Sequence, residues 1–254
     1  MQKENNTPPA PLPDLDLCPI AGGEFIMGDD NSEYDDEKPA HPVRVSDFYM
    51  GKFPVTQQLW QEVTDDNPSD FKGERRPVET VSWEDAQDFL DKLTARADVQ
   101  AFISQLNPQG TEFRLPTEAE WEFAARGGIY SQGYTYAGSD RLKQVGWYGE
   151  NSDDQTHEVG ELLANELGLH DMSGNVWEWC QDWFSDKYYE ECHKRGTVEN
   201  PQGPDSGTLR VLRGGSWFLH PVRCRSVYRI RLDPGSRSVT FGFRLVLPFQ
   251  AVGS

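Results

Sequence analysis

Three shortages narrow this sequence before any motif is considered. Nowhere in its 254 residues is there an apolar run of the roughly 18 residues a helix needs to cross a bilayer, so no membrane insertion is expected. Its four cysteines, Cys18, Cys180, Cys192 and Cys224, lie far apart with no CxxC pair. That excludes a zinc ribbon and a dense disulfide framework, and leaves buried free thiols as the expectation. Positive charge is scarce: 24 Lys and Arg face 42 Asp and Glu, for a formal net charge of −18. A general binder of nucleic acid works by neutralising phosphates, so no nucleic-acid partner is expected. Met1 to Asp16 reads MQKENNTPPAPLPDLD, with neither the basic nor the apolar region of a signal peptide. The expected location is cytoplasmic for the chain as it stands, or the cell surface if a leader has been removed.

What is present describes a turn-rich globular chain: 36% hydrophobic and 12% aromatic residues with 23 Gly and 17 Pro. Residues 1–17 read as a flexible Pro-rich lead, and 18–254 as one domain with no internal boundary, ordered from near Pro19. Apolar, β-prone runs at 23–28 and 43–50 predict two strands separated by the acidic loop Asp29 to Lys38. A helix is expected at 56–64. A second opens with the capping-box pattern Ser82-Trp83-Glu84-Asp85 and continues to about Ala97, with Ala86, Phe89, Leu90 and Leu93 at helical spacing. Thr117-Glu118-Ala119-Glu120 opens a third, which Gly127-Gly128 ends. Beyond Gly128, Gly, Pro, Asn and Asp recur every few positions, so short strands and long loops are expected there.

Six segments stand in order along the chain: PVT at 54–56, VSWEDA at 81–86, FRLPTEAEWE at 113–122, GLHDMSGNVWEW at 168–179, RGGSW at 213–217 and GFR at 242–244. Together they resemble the formylglycine-generating-enzyme (sulfatase-modifying factor) family over about Pro19 to Pro248. The resemblance implies an α+β, loop-rich C-type-lectin-like fold. Fold alone does not decide function, since function is set by the site built on it.

The family's enzymes hold copper through two cysteines, the first three residues after the Ser of GGS and the second five further on. Here Ser216 and Cys224 match, but the first cysteine position is Leu219. Linear Cu(I) needs two thiolates and leucine cannot ligate, so no copper is expected and Cys224 reads as a small buried hydrophobe. The resemblance also implies calcium, held by the carboxylates of Asp171 and Glu178 and the carbonyls of Gly174 and Val176, a donor set of the oxygen chemistry calcium takes. A second ion near Asn151 is a weaker implication. Trp177, Trp179 and Trp183 read as core.

From Gly207 to Ser254 the chain carries eight Arg, no Lys and one acidic residue, Asp233. Within it, Phe218 to Phe241 contains no Lys, Glu, Gln, Met or Trp, although these types make up 54 of the 254 residues. Those five are the types that randomised first and second bases of an Asn codon cannot produce. The segment 213–247 resembles the variable region of diversity-generating-retroelement proteins, in which such codons are diversified between fixed anchors. On that resemblance, Phe218, Leu219, His220, Val222, Arg223, Tyr228, Ile230, Leu232, Asp233, Ser236, Ser238, Val239 and Thr240 form a ligand-binding display. Trp217, Arg225, Arg229, Arg237 and Phe243 are its inward anchors. The displayed types follow neither a strand nor a helix period, and their aromatic, His and Arg content suits a binding surface.

The sequence therefore predicts a ligand-binding protein, not an enzyme, whose partner is a protein or cell-surface ligand of unstated identity. The alternatives are a formylglycine-generating oxidase with an altered metal site, using Ser216 and Cys224, and a structural or regulatory module.

Overall fold

The computed structural model describes residues 12–106 and 112–249; residues 1–11 of the expected flexible lead, and the last few residues of the domain, lie outside them. Order begins earlier than Pro19. Leu12, Leu15 and Leu17 are buried in the main core, and Asp14 pairs with Arg75 at 2.7 Å, so 12–17 belong to the domain.

The first strand β1 (Leu17–Ile20) is followed by β2 (Gly23–Met27), β3 (His41–Val45) and β4 (Phe48–Gly51). The run 43–50 is thus two strands. Ser46 and Asp47 divide it, with Ser46 N–H donating to Asn200 Oδ1 and Asp47 Oδ1 accepting from Gly22 N–H, both at 2.8 Å. Helix α1 (Gln57–Thr64) is capped by Thr56, whose Oγ1 accepts from Leu59 N–H. In α2 (Trp83–Ala95) the Ser82–Asp85 capping box is present, and Phe89 stacks on Trp60 with centroids 5.0 Å apart. A further helix, α3 (Ala97–Leu106), follows Arg96, whose extended backbone separates it from α2. Its buried Val99, Phe102, Ile103 and Leu106 keep helical spacing.

Helix α4 (Glu118–Ala125) is buried at all eight positions and ends before Gly127, where φ is +90°. Next come β5 (Trp177–Trp183), α5 (Tyr188–Arg195), β6 (Val198–Glu199), β7 (Arg210–Arg213), β8 (Arg229–Leu232), β9 (Phe241–Gly242) and β10 (Val246–Pro248). Helix α5 corrects the expectation of strands and loops alone beyond Gly128. It buries only Tyr189 and Cys192, too thin a stripe to mark a helix in advance.

Among the described residues three small sheets result, in the orders β1-β4-β10, β2-β3-β6 and β8-β7-β5-β9. The first joins the two ends of the domain, since β1 and β10 both pair antiparallel with β4. The third positions the site. Trp177 and Trp179 of β5 are buried at its centre, while β8, from the display segment, is its edge strand, paired antiparallel with β7. All four cysteines are free, Cys18 being half-buried and the other three buried. Among the described residues no helix is long and apolar enough to cross a membrane.

Candidate functional site

The display segment is held from beneath by arginines that reach carboxylates on other elements. Arg229 forks onto Glu118 of α4 at 2.6 and 2.5 Å. Arg213 pairs with Glu122 of the same helix and donates to the carbonyls of Val227 and Tyr228 at 2.6 and 2.7 Å. Arg225 forks onto Glu37 at 3.0 and 2.7 Å and holds the Val222 carbonyl through Nε at 3.0 Å. Burial would raise the Glu122 carboxyl, but Arg126 and Arg213 hold it below the ordinary range. A buried pair adds little net stability, because desolvation offsets attraction, yet losing one partner strands a charge. This layer therefore fixes where the backbone of 222–229 runs. The sequence marks Arg225 and Arg229 as anchors, but neither Arg213 nor the partners Glu37, Glu118 and Glu122. The arginine-rich tail matched to the EAEWE run of α4 was the available signal.

Above this layer the displayed residues reach solvent, with two corrections. Phe218 is 64% exposed and Val222 39%; His220, Arg223 and Asp233 are exposed as well. Leu219, Ile230, Leu232, Ser236, Ser238, Val239 and Thr240 are half-buried, and Leu219, Ile230 and Leu232 rest against the core. Tyr228 is not displayed: it is 7% exposed, with its ring edge-on to Tyr34 at 5.1 Å and 6.1 Å from Trp177. Arg237 is not an inward anchor: it is exposed, forking onto Asp85 at the surface. The turn 238–240 is pinned by its carbonyls, which accept from Thr80 N–H, Trp217 Nε1–H and Trp177 N–H at 2.9, 3.1 and 2.7 Å. Buried Trp217 also meets Phe71 and Phe218 edge-on at 5.4 and 5.5 Å.

Two glycines make this packing possible. A Cβ on Gly215 would lie 2.6 Å from Cys224 Sγ, and one on Gly174 only 2.1 Å from the Trp147 carbonyl; both have positive φ.

The residues do not fit copper. Cys224 is fully buried beside Leu142 and Tyr148, and burial pushes its thiol up to about 12. Leu219 supplies no second sulfur. Ser216 is buried, and among the described residues its Oγ has no protein partner.

Both carboxylates of the calcium set already hold protein partners. Both Glu178 oxygens are taken by the Arg244 fork at 2.7 and 2.7 Å, and one also accepts from Trp121 Nε1–H at 2.6 Å. Asp171, whose carboxyl is raised by burial, accepts from Gly160 N–H and Asn175 Nδ2–H at 2.9 and 3.2 Å. Gly174 donates to the Gly214 carbonyl at 2.7 Å, and Val176 is buried in the same loop. Asn151 instead closes a turn, accepting from Tyr148 N–H at 2.7 Å and donating to the Gly146 carbonyl at 3.1 Å.

Comparison with known proteins supplies the remaining context. A family model described as the sulfatase-modifying factor enzyme 1-like domain matches residues 4–248. The chain is 34% identical to a Paenibacillus barcinonensis protein named chaperone protein LppX, over 91% of this chain and 89% of that one. It is 33% identical to the formylglycine-generating enzyme of Streptomyces coelicolor, over 89% and 87% respectively. Among solved structures, Treponema denticola variable protein 1 superposes with a TM-score of 0.77 at 34% identity, covering 91% of this chain and 94% of that one.

Proposed function

This chain belongs to the sulfatase-modifying factor (formylglycine-generating-enzyme) family, with its C-type-lectin-like fold, and from that premise we propose that it is a ligand-binding protein and not an oxidase. On this reading it is a variable protein of the diversity-generating-retroelement kind. The observation that carries the proposal is the separation of layers in the segment 218–240. Side chains facing solvent, Phe218, His220, Val222, Arg223 and Asp233, flank Arg225 and Arg229, which are locked onto carboxylates below. Such a surface changes composition without changing its support, as diversification requires, since exposed substitutions typically shift stability by less than about 0.5 kcal/mol. The likeness to a solved variable protein supports the same reading. The buried, protonated Cys224 and the leucine at the other sulfur position weigh against the oxidase.

A library randomised at Phe218, His220, Val222 and Arg223 tests this directly. Sorted against a folded target such as hen lysozyme, it is expected to yield soluble, cooperatively melting clones that bind, and the copper-loaded parent is expected to form no aldehyde in a cysteine-containing peptide. Clones that aggregate or never bind, or an aldehyde lost in Cys224→Ser, would reverse the proposal. A near-repeat of the codons for 213–247, with adenines at the differing positions beside a reverse-transcriptase gene, is the matching genomic expectation.

A further inference from the structure

We infer that the partner of this face is a protein surface presenting one carboxylate beside an aliphatic or aromatic side chain, with Arg223 receiving the carboxylate. This rests on the reading of the face as a ligand-binding surface. Of the eight arginines between Arg210 and Arg244, six are matched to carboxylates: Arg213, Arg225, Arg229, Arg231, Arg237 and Arg244. A seventh, Arg210, is enclosed between the rings of Trp83 and Trp183, 3.8 and 3.4 Å from their centroids. Arg223 differs from all of them. It is exposed, and among the described residues it has no carboxylate partner. Its guanidinium lies 5.6 Å from the Tyr228 ring centroid, on the turn Pro221–Cys224 that also carries exposed Val222.

A planar guanidinium held near an aromatic ring presents a fork that fits a carboxylate in two parallel hydrogen bonds. Exposed apolar groups on the same segment, Val222 next to it in the chain and Phe218, favour a neighbouring apolar side chain on the partner, since burying apolar surface near the ion pair strengthens it by excluding water. The same face argues against an acidic tract. Exposed Glu150 follows Gly149, whose N–H donates to the Leu219 carbonyl at 2.9 Å, and exposed Asp233 lies on the same segment. One acid at Arg223 is thus favoured, and further acids meet like charge.

Selecting a random peptide library on phage against the protein provides the test, with Arg223→Gln and a Phe218→Ser, His220→Ser, Val222→Ser triple variant as comparators. Peptides with a single Asp or Glu next to a large apolar residue should be enriched, bind Arg223→Gln about tenfold more weakly, and lose binding to the triple variant. Replacing the peptide acid by Lys should restore affinity for Arg223→Glu. Basic or neutral peptides that ignore Arg223→Gln but need the triple-variant residues would overturn the inference and leave the binding-face reading standing. If no peptide depends on either variant, both fail.

Discussion

Arg244 and Asp182 show how a single residue's surroundings decide what it can do. Because Arg244 and Trp121 occupy the Glu178 carboxylate, that residue serves as an internal strut. Chelation by EDTA is therefore expected to leave the melting temperatures of both the wild type and Glu178→Gln unshifted. A chelator-dependent drop in the wild type that disappears in Glu178→Gln would restore Glu178 as a calcium ligand. Asp182 makes a different prediction. Burial, and secondarily Glu118, raise its carboxyl from 3.8 to about 8. Between those values the unfolded chain has released a proton that the folded chain keeps, so this group's contribution to stability falls as pH rises from about 4 to about 8. Asp182→Asn retains an acceptor for the Glu118 N–H, which Asp182 Oδ2 now receives at 2.8 Å. Thermal melts across that range should show a flatter stability profile in the variant, and an unchanged slope would contradict the assignment.

At the scale of elements, what the sequence made legible was local. Side chains of the N-caps Thr56, Ser82 and Thr117 bond the first turns of α1, α2 and α4, a pattern confined to four residues and so readable without tertiary knowledge. Helix α3 was equally readable in Val99, Phe102, Ile103 and Leu106, but the helix read from the sequence ends at about Ala97 and none is assigned to the residues that follow. The display segment was legible as a region and less so residue by residue. Tyr228 has the composition of a displayed residue and is nonetheless buried against Tyr34, and no local pattern announces a ring on another loop. Ile230 and Leu232 looked aperiodic because strand β8 is only four residues long. The carboxylate partners escaped the sequence reading for the same reason: Glu37 and Glu118 lie 188 and 111 residues from Arg225 and Arg229.

On the proposed reading the whole molecule pairs a rigid base with a changeable top, and the two should be separable by stability. Simultaneous replacement of Phe218, His220, Val222 and Asp233 by Ser removes exposed side chains only, whereas Arg229→Ala takes from buried Glu118 its two-bond partner and leaves it only Arg213 at 3.5 Å, at a cost of about 3–5 kcal/mol. Tyr228→Ala, by its burial, should resemble the second, losing about 3 kcal/mol. Urea denaturation of these three variants beside the wild type is the most direct measurement of the account. It predicts a fourfold surface variant within about 1 kcal/mol of wild type and large losses for the other two. A surface variant as destabilised as Arg229→Ala would contradict it, because the proposed display would then be part of the core.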